Sequence, residues 1–130
     1  MARPPVPAAA AGARRTDTIH AVKLVARVPR SELDEGALVR VEYPPFDVVV
    51  TLVDGKPHAI EDVCNHAGAS LAEGEVEGAH ISCPMHGYVF SMKTGELLAP
   101  LGLCGPQKKY RAELEGDEVV IYDDMLVVVF

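Results

Sequence analysis

Four side chains of this chain are of types that bind soft metals, and they come as two pairs. Cys64 and His66 share the run Cys64-Asn65-His66; Cys83 and His86 share the run Cys83-Pro84-Met85-His86. Sixteen residues separate the two runs. Two thiols and two imidazoles at these spacings read as a metal site. Structural zinc sites usually set their Cys pairs roughly two to four residues apart and their His pairs roughly three to five. Cys64 and His66 have a single residue between them. In an extended segment both side chains point the same way, with Cα atoms about 6.5 Å apart. That separation suits ligands to two different ions better than two ligands to one. A bent loop leaves a single-ion zinc site open.

Such loops need short, stiff supports. Each run follows a short apolar strand and leads into a glycine, Gly68 in the first case and Gly87 in the second. Pro84 stiffens the second loop, and Gly87 allows a turn directly after His86. The rest of the pattern is β. Strands are expected over 21–28, 38–43, 47–53 and 57–60, with Asp54-Gly55 as a hairpin turn. Further strands are expected over 80–82, 88–92, 110–114, 118–122 and 125–130. The best helical candidate is a single turn over 31–34, with Ser31 as its cap. Many short strands punctuated by Gly and Pro predict an all-β fold, a small antiparallel barrel or sandwich.

The chain has 130 residues, which predicts one domain. A net charge of −7 disfavours nucleic acid as a partner and suits docking on basic protein surfaces. Three cysteines, an odd number, argue against a disulfide framework and fit a reducing, cytoplasmic setting. No run of about 18 apolar residues predicts a membrane span. Residues 1–18, rich in Ala, Pro and Arg, are expected to form a flexible tail, with organelle targeting as the alternative. Arg14-Arg15 is followed by Thr16-Asp17-Thr18 rather than an apolar segment, which argues against twin-arginine export.

Across roughly residues 20–123 the sequence closely resembles the Rieske iron–sulfur family. The likeness rests on the two ligand runs with Gly87, and on Leu71, Gly78, Phe90, Thr94-Gly95 and Pro100. The resemblance implies a Rieske-like antiparallel sandwich or barrel over 19–130, with a small cluster-binding subdomain of two ligand loops at about 61–102. It implies one Rieske-type [2Fe–2S] cluster per chain. Cys64 and Cys83 would hold the inner iron, and His66 and His86 the outer one. Pro100 would lie on a third loop shielding the cluster.

Within the family, the respiratory branch carries an additional cysteine in each ligand loop, joined as a disulfide. Ala69 and Met85 stand at those positions here, and Tyr88 and Phe90 stand where that branch has a serine and a tyrosine hydroxyl. The chain is therefore most similar to soluble Rieske ferredoxins of ring-hydroxylating oxygenase systems. This implies a one-electron carrier between a flavin reductase and a terminal oxygenase, not an enzyme by itself. The alternatives are a Rieske-type small subunit of a larger reductase or oxidase, and a structural zinc module. The chain is expected to be a monomer or weak dimer, with 125–130 as the dimer edge in the second case. Cys104 is expected to be a small buried hydrophobe, and His20, His58 and His80 to be surface or strand residues. Glu61, Asp62, Glu73, Glu75 and Glu77 form either an acidic docking collar or an ordinary solvated surface.

Overall fold

The structure, a computed structural model, describes residues 17–65 and 68–129; the side chains at 17–20 and 125–129 lie outside that description. The described residues form two antiparallel sheets. The larger is built from β1 (Asp17–Pro29), β2 (Val39–Val41), β3 (Val48–Val53), β4 (Lys56–Glu61), β9 (Lys109–Glu115) and β10 (Glu118–Val129), in the order β1-β10-β9-β4-β3-β2. The smaller is β5 (Glu75–Glu77), β6 (His80–Ser82), β7 (Val89–Ser91) and β8 (Leu97–Ala99), in that order. Single 3-10 turns occur at Arg30–Glu32 and Leu71–Glu73.

β3 explains why there are two sheets. All six of its residues are buried, so both of its faces are covered. Successive side chains of a strand point to opposite faces. Val48, Val50 and Leu52 therefore pack with Val28, Leu33, Tyr110, Val119 and Ile121 in one core, while Val49 points the other way. In β4 the same alternation sends Ala59 to the first core and Ile60 to the second. Val49 and Ile60 join Leu71, Ile81, Phe90, Met92 and both ligand-run cysteines. The smaller sheet and its loops thus ride on the outer face of the larger one. Each fully buried Val or Ile contributes roughly 1.5–3 kcal/mol to holding the two layers together.

The β3–β4 turn forms as the sequence predicts. Asp54 and Gly55 both have positive φ, +52° and +78°. This is the backbone twist that a two-residue hairpin favours. The Glu35 carboxylate accepts both of their N–H groups at 2.9 Å.

Several expectations need correction. The stretch 125–129 is not a separate strand, and Phe130 lies outside the described residues: β10 runs unbroken from Glu118 to Val129, pairing with β1 from Asp17↔Val129 to Pro29↔Glu118. The charged pair Asp123-Asp124 interrupts the apolar pattern without interrupting the ladder. β5 and β8 were not expected from the sequence, because three residues such as Glu-Val-Glu carry too little pattern. The expected helical turn at 31–34 begins instead at Arg30, with Pro29 at its N-cap and no side-chain cap. β1 starts at Asp17, inside the segment read as tail; residues 1–16 lie outside the described residues.

Candidate metal centre

The two ligand runs sit in loops of the same construction. In the first, the Cys64 N–H donates to the Ala69 carbonyl at 2.7 Å and the Gly68 N–H donates back to the Cys64 carbonyl at 2.8 Å. In the second, the Cys83 N–H donates to the Tyr88 carbonyl at 2.7 Å and the Gly87 N–H to the Cys83 carbonyl at 3.0 Å. The limbs pair outside each loop at equivalent places, Val63 with Ser70 and Ser82 with Val89. Two like frames therefore present two cysteines in the same way, although the second run carries its histidine one position later.

Both cysteines are 2% exposed and belong to the same buried group. No disulfide joins any of the three cysteines. His86 lies on the exposed side of its loop, beside Met85. His66 lies outside the described residues. The donor set fits a two-metal cluster held at its inner end by buried thiolates and reached at its outer end by imidazole. The inward sulfurs sit among Val49, Ile60, Phe90 and Met92, away from water.

A third loop, residues 100–108, runs between β8 and β9 and closes on the first ligand loop. Asn65 Nδ2 donates to the Gly105 and Pro106 carbonyls at 2.9 and 3.1 Å, and the Asn65 N–H donates to Gln107 Oε1 at 2.7 Å. Pro100 lies exposed at the start of this loop. Leu101 and Leu103 stand 78% and 63% exposed on it, and Met85 on the second ligand loop is 60% exposed. Cys104 is half-buried against the core group that contains Cys64 and Cys83.

The sequence reading of Asp62 needs correction. It is not part of an acidic collar: it is 2% exposed and works inside the fold. Its carboxylate accepts the Ser70 hydroxyl at 2.6 Å and the Ala72 N–H at 2.8 Å, pinning the limb that leaves the first loop. Glu73, Glu75 and Glu77 are exposed and Glu61 is half-buried, its carboxyl pushed up by burial against the opposing pull of Lys108. His58 is half-buried in β4, and burial first, then Lys109, Lys93 and Lys56, lower its pKa. His80 is exposed on β6, where it pairs with Ser91. The His20 side chain lies outside the description. Gln107 is the residue that sequence reasoning missed; a polar amide in a Gly/Pro-rich loop gives no signal of burial.

The pattern of the Rieske [2Fe-2S] domain matches residues 23–110. The chain belongs to the Rieske [2Fe–2S] family. Its cofactor is a Rieske-type [2Fe–2S] cluster, and its work is the carriage of single electrons. Among curated proteins, this Rieske chain is 34% identical over 90 residues to the ferredoxin component of biphenyl 2,3-dioxygenase from Rhodococcus jostii, covering 69% of this chain and 83% of that one. Among solved structures it is similar to a ferredoxin of Sphingomonas yanoikuyae B1, with TM-score 0.70, 27% identity, and 78% and 99% of the two chains covered. It also matches a chain in a complex of reduced oxygenase and oxidised ferredoxin of carbazole 1,9a-dioxygenase, with TM-score 0.68, 31% identity, and 77% and 91% coverage. Among the described residues no helix is long and apolar enough to cross a membrane.

Proposed function

We propose that Cys64 and Cys83 hold the inner iron of the cluster and that His66 and His86 hold the outer iron. The domain then begins with β1 at Asp17 rather than at 19, with its cluster-binding part at about 61–102. The observation that carries this assignment is the matched hydrogen-bond frame of the two loops, each of which buries its cysteine in one shared core. Placed there, the cluster accepts and returns one electron. The chain's own residues keep its inner sulfurs dry and present His86 to a partner.

The partners we propose are a flavin reductase as donor and a terminal ring-hydroxylating oxygenase as acceptor, in the cytoplasm. The biphenyl and carbazole dioxygenase relatives support the oxygenase as acceptor. Met85, next to His86 in the chain, and Leu101 and Leu103 on the third loop offer exposed apolar surface, and the exposed Glu73, Glu75 and Glu77 add negative charge suited to a basic partner. A chain with net charge −7 gains association rate from such steering.

Two measurements on anaerobically purified protein test the proposal. Iron and acid-labile sulfide should be present at two each per chain, and Cys83→Ser should abolish both. Electron delivery to an oxygenase should rise with the concentration of the carrier and fall with added salt. Zinc in place of iron, or delivery indifferent to carrier concentration, refutes it.

A further inference from the structure

Gln107 closes the third loop, and it is 2% exposed. Glutamine is mostly a surface residue, and a buried amide is costly unless its polar atoms are paired. Here the amide pairs at both ends. Oε1 accepts the Asn65 N–H at 2.7 Å, and Nε2 donates to the Glu61 and Val63 carbonyls at 2.8 and 2.6 Å. The Gln107 backbone is itself held by its N–H, which donates to the Gly95 carbonyl at 2.7 Å. Gly95 permits that approach, since a Cβ there would stand 2.2 Å from the Gln107 carbonyl oxygen.

The partners of this one side chain are all backbone groups of residues 61–65, the limb that enters the first ligand loop. Asn65 lies between Cys64 and His66, so the group held by Oε1 belongs to the peptide linking Cys64 to the residue before His66. Asn65 returns the contact through its own side chain to Gly105 and Pro106. The two amides thus tie the ligand-bearing loop to the third loop from both directions.

We propose that Gln107 is a positioning residue for the cluster: through Asn65, Glu61 and Val63 it fixes how firmly the first loop presents Cys64 and His66. The inference rests on the ligand assignment proposed above. Asp62 anchors the limb that leaves the loop, and Gln107 anchors the limb that enters it, so the loop is held at both ends from outside its own turn.

The test uses the full chain with its cluster. Gln107→Leu keeps the bulk and removes the partner of three backbone groups; Gln107→Asn keeps the amide but is one methylene too short to reach all three. Val50→Ala, in the other core, serves as a control for general destabilisation. In Gln107→Leu, hydrogen exchange over residues 61–70 should quicken about tenfold or more relative to 39–53, and iron release to a chelator should quicken about tenfold. The g-values of the reduced protein should shift. Gln107→Asn should fall between Gln107→Leu and wild type, and it carries the test if the leucine variant does not fold. Val50→Ala should lower the melting temperature and leave the release rate and g-values unchanged. Gln107 variants that behave like Val50→Ala would overturn the proposal. Wild-type protein without iron and sulfide would instead sink the ligand assignment, and the role of Gln107 with it.

Discussion

Gly68 and Gly87 occupy equivalent places in the two ligand loops: each donates its N–H to the carbonyl of the cysteine four residues earlier, and each has φ of +72°. A side chain at either place meets open space, so the demand is purely one of backbone conformation. An L-residue in the left-handed region costs roughly 1–2 kcal/mol. Gly87→Ala and Gly68→Ala should each lose about that much stability in a urea titration and retain a cluster. Gly74→Ala should lose clearly more, because its Cβ would stand 1.9 Å from the Ser82 carbonyl oxygen, a backbone atom that cannot swing away. Equal stabilities for Gly74→Ala and Gly87→Ala would contradict this account.

Asp62 gives a second prediction. Its two acceptor oxygens serve the Ser70 hydroxyl and the Ala72 N–H in a site closed to water. Asp62→Ala strands both donors and should cost roughly 3 kcal/mol, since hydrogen bonds to a charged group are stronger than neutral ones and buried donors left unpaired are penalised. Asp62→Asn keeps one acceptor and the shape, and should cost about a third of that. Chemical denaturation of the two variants checks the order; an alanine variant as stable as the wild type would return Asp62 to the solvated surface.

The contrast between these residues shows what the sequence could disclose. Cys64, Cys83 and His86 are legible because their types are rare and their spacing is short-range, and the Asp54-Gly55 turn because two adjacent residues determine it. Asp62 and Gln107 are polar residues in or beside loops, where exposure is the ordinary expectation. Their burial is decided by what the chain brings to them across the fold, Ser70 and Ala72 in one case and Asn65 in the other. β10 was divided in the reading because Asp123-Asp124 breaks an apolar run. The ladder to β1 needs only backbone groups there, and Lys108 and Arg111 meet the two carboxylates.

Asp123 also makes stability depend on pH. Burial alone pushes its carboxyl up, but contacts from Lys108 and Tyr43, with the charges of Lys108 and Lys23, outweigh burial and hold it below its ordinary value. Oδ2 accepts the Tyr43 hydroxyl at 2.8 Å. Oδ1 makes no hydrogen bond of good geometry; Lys108 Nζ meets its charge at 2.9 Å as an ion pair. Tyr43 is pushed up to about 12, by burial first and then by its bond to Asp123, so it remains a donor at neutral pH. A lowered folded value means a contribution fully present above the unfolded pKa of about 3.9 and lost as pH falls through the folded value. Urea midpoints taken from pH 6 down to pH 2 should fall more gently below about pH 4 in Asp123→Asn than in wild type. An unchanged acid slope would remove Asp123 from the explanation.

His86→Cys tests the outer end of the site. The substitution exchanges an imidazole donor for a thiolate, adding one negative charge to a centre that reduction makes more negative still. The variant should retain two irons per chain, show an altered visible spectrum, and be harder to reduce than wild type. His86 is exposed, so the change disturbs little packing. Spectrum and potential both unchanged would show that His86 is not a ligand.

The potential itself follows from what surrounds the inner sulfurs. Hydrogen bonds to cluster sulfurs favour the more negative reduced state and raise the potential. Phe90 is fully buried in the same core group as Cys64 and Cys83, and its ring offers no donor there. The wild-type protein should give a reversible one-electron wave near the low end of the Rieske range, roughly −150 mV. Phe90→Tyr places a hydroxyl in that core; wherever it reaches a sulfur the wave should move upward, and where it does not, the crowded core should lose stability with no change in potential. A wild-type wave at about +100 mV or above, within the range that Rieske centres reach, would mean that donors other than these side chains set the potential.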